Sequence, residues 1–257
     1  MVTTPWLSAR AVEVTRTETF VARPNVSCIV PAFNEEGSIE SVVRATATVL
    51  ERFAGRHEII VVDDASTDRT PSILTRLTSE VPLLRTVRNQ QNLGCHPSET
   101  IGFDAAHGDV LFFLPADGQI SPEELPRLLR RWPEHELVLT YRARRADPPG
   151  RQLVGATYNL VLRLALGIPA RDIDSSILID RGLWQRIAGS FRRDSAFVHV
   201  EVVLRASQLG APITEVTINH YPRTTGKARG LNARDMTRVP IRLARIWWEL
   251  QQGRFRR

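Results

Sequence analysis

The sequence is poor in cysteine, and this scarcity excludes two classes of protein. Cys28 and Cys95 are the only cysteines, too few and too isolated for the disulfide framework of a small secreted domain. No further cysteine or paired histidine completes a zinc-binding pattern around them. We therefore expect a protein of a reducing compartment, the cytosol.

Long apolar runs and glycine-rich loops are also missing. No stretch approaches the roughly 20 apolar residues of a membrane-spanning helix, and Met1 to Arg23 lacks the apolar centre of a signal peptide. No segment has the spacing of a dinucleotide-binding or P-loop glycine motif. We expect a chain that does not cross a membrane and that holds any bound phosphate by other means.

Lysine is nearly absent, so arginine carries the positive charge. The 257 residues have a formal net charge of +6, and Lys227 is the only lysine. Such an excess suits phosphate, nucleotide or anionic-lipid partners, although solvated surface arginine gives the same balance. Charge alone therefore leaves the partner open.

The first 140 residues alternate short apolar runs with stretches of helical periodicity. The apolar runs are rich in β-branched residues and predict strands at Val26–Pro31, Glu58–Val62, Leu83–Val87 and Val110–Leu114. Apolar residues at helical spacing predict helices that begin near Ile39, Thr70 and Pro97. Alternating elements with short connections imply an α/β fold, a Rossmann-like single domain whose mostly parallel central sheet is flanked by helices.

The regularity weakens beyond Thr140. The basic segment Arg142–Arg151 predicts a loop, and later helices and strands are predicted at Gln152–Leu166, Ser176–Ile179, Val200–Gly210 and Ile213–Ile218. We divide the chain into an N-terminal extension (1–24), one domain (25–230) and a C-terminal stretch (231–257). The domain has two halves, about 25–140 and about 141–230.

Acidic residues follow three of the predicted strands. Glu35 follows the first strand, Asp63 and Asp64 follow the second, and Asp117 follows the fourth. One such loop is often only a turn or a helix cap. Because ligands of an open α/β sheet bind beyond the carboxyl ends of its strands, three such loops predict a shared binding site.

The third acidic loop has the composition of a metal site. Carboxylates beside a diphosphate repel it unless a divalent cation lies between them, and hard oxygen ligands favour Mg²⁺ or Mn²⁺. Asp117 and the amide oxygen of Gln119 stand two residues apart. We predict that both reach one such ion.

At these residues the sequence resembles the family 2 glycosyltransferases of the GT-A fold, especially their dolichol-phosphate mannosyltransferase-like branch. Val30–Glu35 resembles the family's first-strand motif, Val61–Asp68 its second, and Pro115–Gln119 its metal motif. The resemblance covers most of the chain. It implies a nucleotide pocket lined by residues of the first two loops: Pro31, Ala32, Phe33, Glu35, Asp63 and Asp64.

Two positions depart from the family pattern. Pro115 stands where an aspartate usually helps to position the metal-bound diphosphate, and Cys95 stands where a lysine often follows the glycine of Asn92–Gly94. The first departure implies weaker metal binding, or a larger part for the phosphates of the donor itself.

Further segments resemble the acceptor side and the closing segment of the branch. They are Tyr141–Arg145 and Asp172–Ser176 on the acceptor side, and Phe197–Glu201 and His220–Lys227 at the closing segment. In relatives the closing segment brings basic side chains toward the phosphates. By this resemblance Arg223 and Lys227 are the candidates for binding the donor and acceptor phosphates, and a solvated surface cation is the plain alternative for each.

An inverting transfer needs an acceptor oxygen in line behind the anomeric carbon and stabilised charge on the departing diphosphate. Asp117, Gln119 and Arg223 are predicted to stabilise that charge. A hydroxyl acceptor must also lose a proton, whereas a phosphate is already ionised near neutral pH. Asp174 is the candidate base in the first case and an orienting group in the second, and a turn-capping role is the plain alternative.

The C-terminal stretch has an apolar face and a basic face. Helical spacing places Val239, Leu243, Ile246, Trp247 and Leu250 on one side, and Arg238, Arg242 and Arg245 on another. Such a helix suits the headgroup layer of a membrane. Packing of its apolar face on the domain is equally compatible with the pattern.

Three hypotheses for function follow. The leading one is sugar transfer from a nucleoside diphosphate sugar to a polyprenyl phosphate at the inner face of the cell membrane, with peripheral membrane contact and no nucleic acid partner. The second is a soluble tailoring glycosyltransferase that acts on a hydroxyl of a small molecule. The third, suggested by Pro115, is a nucleotide-sugar-binding relative without catalysis.

Overall fold

The computed structural model describes residues 23–143, 145–146, 149–168, 170–189, 197–223, 244–246 and 248. In these ranges the strands are β1 (Val26–Ala32), β2 (His57–Asp63), β3 (Leu84–Arg88), β4 (Val110–Phe113), β5 (Leu137–Arg142), β6 (Ile177–Asp180) and β7 (Ile213–Ile218). The helices are α1 (Ile39–Phe53), α2 (Thr70–Glu80), α3 (Cys95–Asp104), α4 (Leu125–Leu129), α5 (Pro149–Leu166), α6 (Arg181–Ala188) and α7 (Val198–Gln208). A 3₁₀ turn at Pro122–Glu124 precedes α4.

The strands form one seven-stranded sheet in the order β3-β2-β1-β4-β6-β5-β7. The block from β3 to β4 is parallel, β6 runs antiparallel to both of its neighbours, and β5 pairs with β7 in parallel. Every residue of β1 and β4 is buried, as expected for strands covered on both faces. The prediction of one α/β domain with a mostly parallel sheet between helices is confirmed.

Two core clusters occupy the two faces of the sheet. Along β1, Cys28 and Val30 belong to the cluster that contains α1, α2 and α4, whereas Ile29 belongs to the cluster that contains α3, α6 and α7. This division follows from the two-residue period of a strand. Helices packed on both faces therefore hold the sheet in place, including the ends of the strands from which the predicted site loops start.

The second half departs from the predicted pattern. Strand β5 was not predicted, because its apolar run continues directly into the basic segment that was interpreted as a loop. Helix α6 was also missed, although Asp180 caps it by accepting from the amides of Gly182 (2.8 Å) and Leu183 (3.2 Å). The predicted loop Arg142–Arg151 is shorter than expected, since β5 ends at Arg142 and α5 begins at Pro149.

The C-terminal stretch falls mostly outside the described residues. Residues 244–246 are helical, and Ile246, only 4% exposed, belongs to the core cluster that contains α7. Trp248 is 47% exposed. At Ile246 the apolar face packs on the domain, which is one of the two alternatives for this stretch. No helix among the described residues is both long and apolar enough to span a membrane.

Gly102 allows α3 to lie directly on the sheet. A Cβ atom at this position would stand 2.3 Å from Cγ2 of Ile29, far inside van der Waals contact. Ile29 is fully buried, so it cannot move aside without disturbing the core.

We predict that Gly102→Ala lowers the free energy of unfolding by about 1–3 kcal/mol because it overpacks this contact. The matched control is Gly189→Ala, since Gly189 has φ −63° and nothing within 4 Å of its ideal Cβ. There we expect no loss, and a gain of up to about 1 kcal/mol. Denaturant unfolding of both variants measures the difference, and equal effects would contradict the assignment of close packing to Gly102.

Candidate active site

The loops that carry the predicted site residues meet at one edge of the sheet. Ala32 pairs with Asp63 at the ends of β1 and β2, and β4 lies parallel on the other side of β1. The loops that follow these three strands therefore start side by side. The convergence predicted from the strand-end rule is present.

The first two loops are joined through Asn34. This residue has φ +55°, a conformation that asparagine tolerates better than most residues. Its Oδ1 accepts from the backbone amides of Thr67 (2.7 Å) and Asp68 (3.3 Å), and its backbone amide donates to Oγ of Ser66 (2.9 Å). The turn after β1 is thereby locked to the turn after β2, which fixes the neighbouring residues Phe33 and Glu35.

Asp64 holds the loop that follows β3. Its carboxylate is almost fully buried and accepts from Nδ2 of Asn89 and from the amides of Leu93 and Gly94, each at 2.8 Å. Charge-assisted hydrogen bonds of this kind are strong. Asp64 therefore positions the entry to α3, and its predicted contact with the nucleotide stays a prediction.

Asp63 is also buried and has a different set of partners. Its Oδ1 accepts from the amide of Ser66 (3.0 Å), and its Oδ2 lies 3.0 Å from the guanidinium of Arg88. The ion pair and the turn together stabilise a carboxylate that would otherwise be costly to bury. Asp63 thus stabilises the turn that follows β2.

The third loop and the closing segment are bound to each other. The backbone amide of Gln119 donates to Oδ1 of Asp117 (3.0 Å), and the backbone amide of Tyr221 donates to the backbone carbonyl of Gln119 (2.9 Å). Nε2 of Gln119 donates to the carbonyl of Tyr221 (3.3 Å). This pairing places the closing segment, up to Arg223, over the predicted metal loop.

Arg223 connects the first and third loops. Its guanidinium pairs with the carboxylate of Glu35, and its NH1 lies 3.4 Å from Oδ2 of Asp117. Burial raises the pKa of Glu35, and the adjacent guanidinium acts against burial by favouring the carboxylate. The structure therefore gathers Glu35, Asp117 and Arg223, three residues that were predicted separately.

The donor atoms at this place fit a hard divalent cation. Asp117 offers a carboxylate whose side chain is 20% exposed, and Gln119 offers an amide oxygen two residues later on the same turn. Pro115 has no side-chain donor atom, so Asp117 and Gln119 alone form a small ligand set. Water or the phosphates of a donor would fill further positions around such an ion.

The predicted acceptor side is organised around a buried aspartate. Asp172 accepts from Nε and NH2 of Arg142 (2.6 and 2.8 Å) and from NH2 of Arg145 (2.9 Å). Burial opposes ionisation of Asp172, but the two guanidinium groups hold its pKa below the ordinary value. Asp174, the candidate base or orienting group, lies two residues further and is exposed.

The sequence did not predict one pair of residues in this region, and one predicted residue lies outside the part of the chain that the structure describes. Glu99 on α3 and His199 on α7 form a buried pair with His96 beside it. His199 stands in a segment that resembled the closing motif, but nothing in the sequence connects it with a glutamate 100 positions earlier. Lys227, the second predicted phosphate-binding residue, is outside the described residues.

We predict that Asp64→Asn lowers the free energy of unfolding by about 1–3 kcal/mol, because the amide nitrogen of asparagine faces backbone donors and leaves at least one unsatisfied. The isosteric change at the exposed Glu51, Glu51→Gln, is the control and should have an effect within about 0.5 kcal/mol. Thermal or denaturant unfolding measures both. An unchanged Asp64→Asn variant would show that the hydrogen bonds of this carboxylate do not hold the loop.

Comparison with known proteins identifies relatives of this chain. The chain is 29% identical over 228 residues to the undecaprenyl-phosphate 4-deoxy-4-formamido-L-arabinose transferase of Pseudomonas syringae pv. syringae, covering 88% of this chain and 64% of the relative. It is 31% identical over 215 residues to the same-named protein of Pectobacterium carotovorum subsp. carotovorum, covering 80% and 62%. The chain therefore spans a little under two thirds of the length of these curated relatives.

A solved structure has the same fold. The glucosyl-3-phosphoglycerate synthase of Mycobacterium tuberculosis, in complex with Mn²⁺, uridine diphosphate and glucosyl-3-phosphoglycerate, superposes with a TM-score of 0.65 at 22% identity, covering 86% of this chain and 80% of that one. The model of the family described as glycosyl transferase family 2 matches residues 27–180, more than half of the chain. The chain belongs to glycosyl transferase family 2.

Proposed function

We propose that this chain is an inverting, metal-dependent glycosyltransferase that moves a sugar from a nucleoside diphosphate sugar to a polyprenyl phosphate. The observation that carries the proposal is the contact of Arg223 with both Glu35 and Asp117. It places a cation and two carboxylates where three strand-end loops of a family 2 domain meet. This is the composition that a site for a metal-bound diphosphate requires.

The donor half supplies binding and charge stabilisation. Half-buried Phe33, which follows the buried Pro31 and Ala32, offers an aromatic surface to the base. Arg223 offers a guanidinium to the departing diphosphate. Mg²⁺ or Mn²⁺ held by Asp117 and Gln119 would neutralise further negative charge on that leaving group.

The acceptor half supports an ionised acceptor. The two curated relatives carry undecaprenyl phosphate in their names. A phosphate oxygen needs positioning but no base, since it is already ionised near neutral pH. Asp174 then orients the acceptor. A hydroxylated small molecule is the second candidate acceptor, favoured by the exposure of the Asp174 carboxylate, which would serve as its base.

One face of α5 supports contact with a membrane. Large exposed apolar side chains share that face at helical spacing: Leu153 (69% exposed), Val154 (52%), Leu160 (46%), Val161 (42%) and Leu164 (78%). Asn159 and Leu162 are buried on the other side of the helix. An exposed apolar face of this size on the acceptor half suits the boundary between headgroups and acyl chains. We propose peripheral attachment through α5, at the inner face of the cell membrane.

We predict that calorimetric titration with UDP, GDP and dTDP finds one nucleotide that binds only with Mn²⁺. Asp117→Ala should weaken this binding at least about 10-fold, because it removes the carboxylate ligand. The control Glu134→Ala removes an exposed carboxylate on the connection between α4 and β5 and should leave binding unchanged. Binding of no nucleotide would contradict the proposal, and metal-independent binding that Asp117→Ala does not affect would favour a non-catalytic relative.

We predict that the protein floats with vesicles of phosphatidylcholine and phosphatidylglycerol, and that the double variant Leu153→Glu/Leu164→Glu loses at least about 10-fold in vesicle affinity. Burial of one leucine side chain in an apolar phase contributes about 1.5–3 kcal/mol. The control is Leu209→Glu, which alters an exposed leucine after α7 (51% exposed). Equal binding by all three proteins would remove α5 as the membrane contact.

A further inference from the structure

A buried ion pair lies behind the predicted acceptor loop. Glu99 is 0% exposed and His199 is 1% exposed. Nε2 of His199 lies 2.9 and 3.0 Å from the two carboxylate oxygens of Glu99, and Nδ1 lies 2.9 Å from the carbonyl of Ile173. The pair thus links α3 and α7 to the residue that precedes Asp174.

The partners of the imidazole determine where its protons lie. A carbonyl oxygen only accepts, so Nδ1 of His199 carries a proton and donates it to Ile173. Nε2 faces a carboxylate at hydrogen-bond distance, so a proton is also shared there. Burial opposes the charged forms, but each group stabilises the other, and the pKa of Glu99 is lowered while that of His199 is raised. Since both ring nitrogens face acceptor oxygens, the geometry and these two directions favour an imidazolium beside a carboxylate.

The same atoms, with His96, also have the composition of a metal site. Ligand atoms of His96, Glu99 and His199 lie within 4.8 Å of one another. However, both oxygens of Glu99 lie about equally close to the one nitrogen of His199. A metal ion about 2 Å from each ligand would have to separate this pair. The geometry is that of a closed ion pair, so we argue its role as an ion pair.

The loop from Asp172 to Ser176 is fixed on both sides of Asp174. Arg142 and Arg145 clamp Asp172, and Oγ1 of Thr140 lies 2.6 Å from Oγ of Ser175.

At Ile173 both backbone groups are held: its amide donates to Oδ1 of Asn159 (3.0 Å), and its carbonyl accepts from His199. Asp174 is exposed, in contrast to its buried neighbours Ile173 and Ser175, and its backbone carbonyl accepts from NH2 of Arg142 (3.1 Å).

We propose that Glu99 and His199 are positioning residues that set the place and orientation of Asp174 for the acceptor. Glu99 orients the imidazole, and the imidazole holds the carbonyl of Ile173, the residue directly before Asp174. This inference rests on the proposed function in assigning Asp174 to the acceptor. It goes beyond that function in assigning a task to a buried pair behind the acceptor loop.

Two substitutions of His199 separate positioning from plain structural support. In His199→Asn the side-chain amide takes the place of Nδ1 and still donates to Ile173, but the contact with Glu99 is lost. In His199→Gln the amide reaches Glu99, but the donation to Ile173 is lost. A merely structural role predicts that the Asn variant is worse, because it leaves a buried carboxylate poorly paired.

The positioning role predicts the opposite order. We expect His199→Gln to lower kcat/KM for the acceptor about 10-fold to 100-fold, chiefly through KM, while His199→Asn retains most of it and both bind the donor nucleotide as the wild type does. In an Asp174→Asn background His199→Gln should add little further loss, because both changes act on the same group. An Asn variant as impaired as the Gln variant, or multiplicative losses in the double variant, would overturn the inference.

Hydrogen–deuterium exchange decides the question even if no acceptor is found. The backbone amides of residues 172–176 should exchange faster in His199→Gln than in the wild type, and at nearly wild-type rates in His199→Asn. Unchanged exchange in His199→Gln would overturn the positioning role whatever the activity. Absence of transfer by the wild type, combined with the expected exchange pattern, would instead count only against the proposed acceptor.

Discussion

The crowding of carboxylates at one edge of the parallel strands is the constraint on which the site depends. Asp63 is the last residue of β2, and Glu35, Asp64 and Asp117 lie beyond the ends of β1, β2 and β4. Unpaired charges at this density would oppose folding. Each has a compensating partner: Arg223 for Glu35 and Asp117, Arg88 for Asp63, and backbone amides for Asp64. These partners tie the three loops, the entry to α3 and the closing segment into one rigid rim.

This pairing divides the acids into two groups. Asp63 and Asp64 are satisfied by fixed protein groups and build the rim, whereas Glu35 and Asp117 share a guanidinium on the closing segment. A guanidinium that is shared by two carboxylates can also bind a diphosphate. Its N–H groups can donate to phosphate oxygens in place of carboxylate oxygens, and the hydrogen bonds stay charge-assisted. In the proposed function, Pro115 in place of the first metal-motif acid leaves more of the charge on the diphosphate to Arg223.

The sequence predicted the parts of the structure that depend on local patterns. The first four strands followed from periodicity, and the convergence of three of their loops followed from the strand-end rule. The family resemblance singled out Arg223, which contacts two of these loops, while its role stays a prediction. Strand β5 and helix α6 were missed because one merges into a basic segment and the other is short. The pair of Glu99 and His199 was beyond reach, since only the packing of α3 against α7 brings together residues 100 positions apart.

A transfer assay tests most simply whether this chain transfers a sugar to a polyprenyl phosphate, as proposed. The purified chain would be incubated with Mn²⁺, undecaprenyl phosphate in detergent and UDP-, GDP- or dTDP-linked sugars, and the lipid fraction analysed by mass spectrometry. We expect a lipid-linked sugar phosphate with one donor, together with release of the nucleoside diphosphate, and NMR of the product should show an inverted anomeric configuration. Absence of a lipid-linked product with every donor would rule out the proposed acceptor.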